Sequence, residues 1–235
     1  MCIRDSSEEV LTGGLDGLEE RCTEYESLGA KFTKWRAVIK IGENMPSDNC
    51  IEANMQALAD YAKIVQQSNM VPIVEPEVLM DGEHSADACF DATSRCLNSL
   101  FANLDNKGVN IKGVILKPNM VLAGQGSSSQ LTHEDVAELT MKCLLENVPE
   151  DLPGIAFLSG GQSDIDATAN LDALNKLGGN PWKLTFSYGR ALQQAALKSW
   201  LGQSENVVNA QEAFSHRAKM NRLAALGQWT KDLER

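Results

Sequence analysis

Short apolar runs alternate along the chain with longer stretches in which apolar residues recur every three or four positions. Helical spacing runs from Leu15 to Leu28 and stops at Gly29, a residue suited to the left-handed turn that ends helices. Phe32 to Ile41 reads as a strand with Lys34-Trp35-Arg36 set into it. Ser47 is placed as the N-cap of a helix reaching Ser68, and Val71-Pro-Ile-Val74 follows as a short buried strand. The pattern then predicts a helix from Asp87 to Leu104 and a strand, Val114-Ile-Leu116, stopped at Pro118. Thr132-His-Glu-Asp135 opens the next helix, with Thr132 as cap and acids in its first turn. After it come a strand Ile155 to Leu158, a helix capped by Ser163, a strand Trp182 to Phe186, and helices from Arg190 to Leu201 and from Val207 to Leu226.

Five nearly all-apolar strands, each followed by a helix, predict a parallel sheet covered on both faces. An open doubly wound sheet and a closed eight-stranded barrel compete. No GxGxxG follows the first strand, which removes the main support for a dinucleotide fold. Glu75, Glu77, Lys117, Ser159 and Arg190 collect where strands end, and in a TIM (β/α)8 barrel those ends form the catalytic rim. The expectation is therefore a TIM barrel of which the last five βα units are present. Residues 1–6 read as foreign to the domain because they break abruptly into the helical pattern, and residues 7–235 as the partial barrel with a C-terminal helix.

Charge narrows the function. A net charge of −11 without clustered Lys and Arg excludes nucleic acid, whose phosphates demand such clusters, but leaves room for a phosphorylated metabolite. The longest apolar stretches are too short to span a bilayer, so no membrane partner is expected. The cysteines form no CxxC pair and read as reduced thiols of a cytoplasmic or plastid setting; the start is neither a signal nor a transit peptide. His84, His133 and His216 share no metal-ligand spacing, so neither a metal nor another cofactor is expected.

Lys117 is the sharpest chemical feature. It leaves a buried strand just before Pro118, and partial desolvation there favours the free amine that attacks a ketone to form an imine. The competing reading is a lysine that snorkels from a strand end to solvent. Lys34 and Arg36 share one face of their strand, with Trp35 on the other, and two cations facing a barrel interior need an anion. That anion is a substrate group, or Glu75 or Glu77, or both. Glu75 and Glu77 point inward by the same period; they shuttle protons if crowding raises a pKa, and otherwise neutralise the cations. Ser159-Gly160-Gly161 and Ser187-Tyr-Gly189-Arg190 lie between strand and helix, where backbone N–H groups and an arginine can hold phosphate, although a lone Gly-Gly is also an ordinary turn.

Five segments carry a resemblance to class I (Schiff-base) fructose-bisphosphate aldolases, in order and at matching spacing. They are Phe32-Thr-Lys-Trp-Arg36, Val71-Pro-Ile-Val-Glu-Pro-Glu77, Leu116-Lys-Pro-Asn-Met120, Phe157-Leu-Ser-Gly-Gly-Gln-Ser163 and Leu184-Thr-Phe-Ser-Tyr-Gly-Arg-Ala191. The resemblance implies a TIM barrel, a homotetramer when full length, and metal-free reversible cleavage of fructose 1,6-bisphosphate to glycerone phosphate and glyceraldehyde 3-phosphate. By that likeness Lys117 carries the imine, Glu75 transfers protons, and Glu77 and Lys34 hold and polarise the site. Arg36 would bind the distal phosphate, and Ser159, Gly160, Gly161, Ser187, Gly189 and Arg190 the phosphate beside the ketone. It also implies that the family's first three strands and its C-terminal tail lie outside this sequence. Two other readings compete with an aldolase: a catalytically dead fragment acting as a binding or subunit-interaction module, and another Schiff-base barrel such as a transaldolase or a deoxyribose-phosphate aldolase. The paired phosphate loops argue against the last, because they fit a substrate with phosphate at both ends.

Overall fold

The computed structural model describes residues 2–4 and 9–234. Of the segment 1–6 expected to be foreign to the domain, residues 1, 5 and 6 lie outside the described residues. Cys2–Arg4 (β1) pairs antiparallel with Val10–Thr12 (β2), a small hairpin that the apolar pattern does not announce.

The main sheet has strands Phe32–Ile39 (β3), Val71–Val78 (β4), Ile115–Leu116 (β5), Gly154–Phe157 (β6) and Lys183–Phe186 (β7). They lie side by side in sequence order and every pair is parallel. Helices Leu18–Ser27 (α1), Asp48–Gln67 (α2), Ala86–Asn106 (α3), His133–Asn147 (α4), Asp164–Leu177 (α5), Arg190–Trp200 (α6) and Val207–Ala224 (α7) precede and follow the strands. The predicted order of five strand–helix units is the observed one. β4 continues through Glu75-Pro-Glu77 to Val78 rather than stopping at Val74, because β3 pairs with it along its whole length.

Local chemistry explains where the helices begin. Ser47, Ser85, Thr132 and Ser163 each accept a backbone N–H of the first turn, and Thr132 forms a full capping box with Asp135. Gly29 follows the end of α1 with φ 93°, the conformation its lack of Cβ permits. Met55, Leu58, Ala59, Ala62 and Val65 form the buried stripe of α2, at the spacing that keeps one helical face turned to the sheet.

One row of residues crosses the sheet: Trp35, Val74, Leu116, Ile155 and Leu184 are in register on consecutive strands. This row faces the helices. Trp35 packs on Tyr61 of α2 at 5.4 Å between ring centroids, and Thr33 on the same strand face hydrogen-bonds the Tyr61 hydroxyl (2.6 Å). Residues one position further along therefore face the other way. That opposite face is open, since Phe32, Lys34, Arg36, Lys183 and Thr185 are exposed on it.

The described thiols are free and mostly inside the helix layer. Burial pushes Cys96 up to about 12 and Cys143 up to about 11, so at neutral pH both stay protonated and weakly nucleophilic. Among the described residues, no helix is long and apolar enough to cross a membrane.

Candidate active site

The open face gathers the charged residues. Arg36 and Glu75 are register partners in β3 and β4, and the backbone N–H of Lys117 donates to Val74 O (2.8 Å), which extends the β4–β5 pairing one residue past β5. Glu75 is buried and lies between two lysines. Its Oε1 is 3.0 Å from Lys117 Nζ and its Oε2 is 2.9 Å from Lys34 Nζ. The Lys34 contact has the distance of an ion pair but not the alignment of a hydrogen bond, since Oε2 has no hydrogen-bond partner. Arg36 pairs through Nε with Glu77, also buried. Both pairs follow one geometric rule: each cation meets the carboxylate two residues beyond its own register partner.

Burial differs sharply within the cluster. The Lys117 side chain is 12% exposed, whereas Lys34 is 42% and Arg36 46% exposed. Lys117 is thus the enclosed amine, and Lys34 and Arg36 form the rim that solutes reach first. Of the two sequence alternatives for Lys117, snorkelling to solvent does not describe this side chain.

A buried asparagine ties the lysine's loop down. Asn119 accepts from Val78 N (3.0 Å) and donates to Thr93 Oγ1 (3.1 Å) and Met120 O (3.0 Å), joining the segment after Lys117 to β4 and α3. In the sequence Asn119 stands within Leu116-Lys-Pro-Asn-Met120 with no task of its own. Its only local signal is a polar residue between Pro118 and the apolar run Met120-Val-Leu-Ala123.

The loops that begin at Ser159 and Ser187 stand at the ends of β6 and β7. Ser159 is buried, and Gly160 and Gly161 follow with φ 54° and 95°. The two loops adjoin, since Arg190 Nη2 lies 3.8 Å from the position a Cβ on Gly161 would occupy. Their helices differ in a way the sequence reading did not separate. α5 is capped by Ser163 and carries Asp164 and Asp166 in its first turn, so its positive end is already answered. α6 begins at Arg190 with no side-chain cap and no acid in its first turn, which leaves it the better anion end.

The loops after β4 and β5 are zipped together by backbone hydrogen bonds: Gly124 N to His84 O, Gln125 N to Met80 O and Gly126 N to Gly82 O, each 2.8 Å. At Gly124 an ideal Cβ would stand 2.4 Å from Gly82 O, so only glycine allows this approach. Gly124→Ala should therefore pry the loops apart, at a cost of about 1–3 kcal/mol for forced overpacking. Calorimetry should show the midpoint lowered by roughly 2–12 °C; an unshifted midpoint would mean that the zipper is not under that constraint. Among the described residues, no group of three or more His, Cys, Asp or Glu gathers as a metal would require.

The profile of the family described as "Glycolytic: Fructose-bisphosphate aldolase class-I" matches residues 1–235. The chain belongs to that family. A Xanthomonas campestris protein named "Probable fructose-bisphosphate aldolase class 1" is 53% identical over 222 residues, which is 94% of this chain and 66% of that relative. Cytosolic fructose-bisphosphate aldolase 4 of Arabidopsis thaliana is 50% identical, over 96% of this chain and 58% of its own length. A solved aldolase structure from Plasmodium falciparum, in complex with TRAP and a small-molecule inhibitor, superposes with a TM-score of 0.95. It is 47% identical and the match covers 98% of this chain and 67% of that one. The chain thus spans 58 to 66% of the length of these curated aldolases.

Proposed function

We propose that this chain carries the imine-forming lysine, the proton-transferring carboxylate and the phosphate cradle of a class I fructose-bisphosphate aldolase. The whole protein would cleave fructose 1,6-bisphosphate reversibly to glycerone phosphate and glyceraldehyde 3-phosphate. The observation that carries the reading is the position of Glu75, within 3.0 Å of the enclosed Lys117 amine and 2.9 Å of Lys34. An amine becomes a nucleophile only when its proton has somewhere to go, and Glu75 supplies that acceptor at hydrogen-bond range.

The chemistry follows from that pair. The Lys117 amine attacks the C2 carbonyl carbon, and the C2 oxygen leaves as water, with protons drawn from the nitrogen and passed by Glu75. The iminium then accepts the electron pair of the C3–C4 bond while Glu75 takes the proton of the C4 hydroxyl. Glyceraldehyde 3-phosphate departs and leaves an enamine, which is protonated at C3 and hydrolysed to glycerone phosphate and free Lys117. Glu77 and Lys34 hold and polarise the centre. Arg36 binds the distal phosphate, and Ser159, Gly160, Gly161, Ser187, Gly189 and Arg190 bind the one beside the ketone.

The five strands are, in this reading, the last five of an eight-stranded barrel. Three features support it: strict sequence order, all-parallel pairing, and a charged face left open between the edge strands β3 and β7. Exposed Phe32, Leu197, Leu201 and Val208 are further surface that more units would cover. A tetramer, and a cytosolic or plastid setting, belong to the same reading; the Arabidopsis relative supports the cytosol.

The test compares residues 1–235 with a version completed by the preceding segment of a close relative. The completed protein should cleave fructose 1,6-bisphosphate in excess EDTA, since the imine serves as electron sink. The 235-residue chain should be slower by on the order of 10²-fold or more, because it grips substrate from one side only. A completed protein that is inactive, or active only with zinc, would refute the aldolase reading; equal rates would refute the partial-barrel one.

A further inference from the structure

Gln125 has no part in the chemistry just described, yet it spans the two halves of the site. It lies in the segment that follows Lys117. Its backbone N–H donates to Met80 O (2.8 Å) in the loop after β4, and its Nε2 donates to Gly161 O (3.0 Å) in the loop after β6. A single residue thus joins the loop behind the acids, the loop behind the amine and the first phosphate loop.

We propose that Gln125 is a positioning residue for the phosphate subsite, holding the Gly161 carbonyl so that its oxygen does not turn toward the bound anion. This rests on the aldolase reading above and deepens it. The need arises from the glycines that make the cradle. Gly160 and Gly161 both sit at positive φ, 54° and 95°, and without Cβ atoms they rotate easily into other conformations. The peptide between Gly161 and Gln162 is held on its N–H side by Gln162 N donating to Ser159 O (2.9 Å), and the Gln125 amide is what holds its carbonyl side. A released carbonyl would harm the site twice. Facing a phosphate, its partial negative charge repels the ligand. Facing Arg190, whose Nη2 lies 3.8 Å from where a Gly161 Cβ would stand, it would compete with the phosphate for a guanidinium donor. Gln125 is itself exposed, so replacing it leaves the core untouched.

The experiment measures inorganic phosphate and glycerone phosphate binding to the 235-residue chain by titration calorimetry. The variants are Gln125→Ala, Gln125→Glu and, as a cradle control, Arg190→Ala. Gln125→Ala should bind both ligands about three- to tenfold more weakly, the scale of one lost neutral hydrogen bond. Gln125→Glu keeps the shape, loses the donor and adds a repelling charge, so it should be weaker still. Thermal midpoints of both Gln125 variants should match the unaltered protein. At saturating glycerone phosphate, the rate of borohydride-trapped adduct formation should also match within about twofold, the signature of a purely binding defect. Wild-type affinity in Gln125→Ala alongside a weakened Arg190→Ala would overturn the inference while leaving the cradle standing. A lowered midpoint, or a slowed saturating rate, would mark general loop disturbance and overturn it as well. If the unaltered chain binds neither phosphate, the cradle reading fails and this inference goes with it.

Discussion

Lys117→Met is expected to abolish the adduct that borohydride traps with glycerone phosphate, and to lower cleavage by the completed protein by on the order of 10⁴-fold or more, as removal of a nucleophile does. Methionine nearly preserves the length and apolar stem of lysine but has no amine. The alternatives are weak on geometry. Lys34 shares Glu75 with Lys117, but its side chain is 42% exposed against 12%, so it stands at the water-facing rim and not in the enclosed position. Peptide mapping of the trapped wild-type protein should place the added mass on the peptide containing Lys117. Mass that remains on the protein after Lys117→Met would assign the imine elsewhere. Loss of the adduct should come with an intact circular dichroism spectrum, because Glu75 keeps Lys34 as a counter-charge.

The largest effect on stability is expected far from the chemistry, at Arg217. This side chain on α7 is 4% exposed and ties α7 to two other parts of the chain. Nη1 pairs with Glu234 near the end of the described chain, while Nη2 donates to Asp164 O (3.1 Å) and Thr168 Oγ1 (2.6 Å) in the first turns of α5. Glu234 is held in turn by Trp229 Nε1 (2.8 Å), and Trp229 N donates to Asp172 Oδ1 (2.9 Å). Removing Arg217 leaves Glu234 with only Trp229 and the partly buried His216 (Nε2 at 3.3 Å), and breaking a buried ion pair costs about 3–5 kcal/mol. For a chain of this size Arg217→Leu should then lower the thermal midpoint by roughly 6–20 °C. The double variant Arg217→Leu/Glu234→Leu should recover part of the loss, since no charge is left buried alone. A single variant as stable as the unaltered protein would show that the cluster is not a structural clamp.

Much of this was legible because it is set by near neighbours. Ser47, Thr132 and Ser163 cap helices through contacts three residues long, and each was placed from sequence as a cap. The strand period put Lys34 with Arg36, and Glu75 with Glu77, on shared faces before any pairing was known. Which carboxylate meets which cation stayed open. Lys34 takes Glu75 and Arg36 takes Glu77 because β3 and β4 lock in a register that pairs Arg36 with Glu75, and nothing within either strand fixes that offset.

Asn119, Gln125 and Arg217 mark the other limit. Each reaches across two dozen residues or more to another element or loop: Asn119 to Val78 and Thr93, Gln125 to Gly161, Arg217 to Asp164. No periodicity or cap signals such a contact. The sequence by itself determined the alternation of strands and helices, the inward faces and the five family motifs. Backbone period, capping and turn formation are local properties of a few consecutive residues, so they survive in the one-dimensional record. Only the tertiary structure decided the ion pairing, the depth of Lys117 and the links between loops. Those depend on how separate elements are docked, and docking is a property of the packed whole.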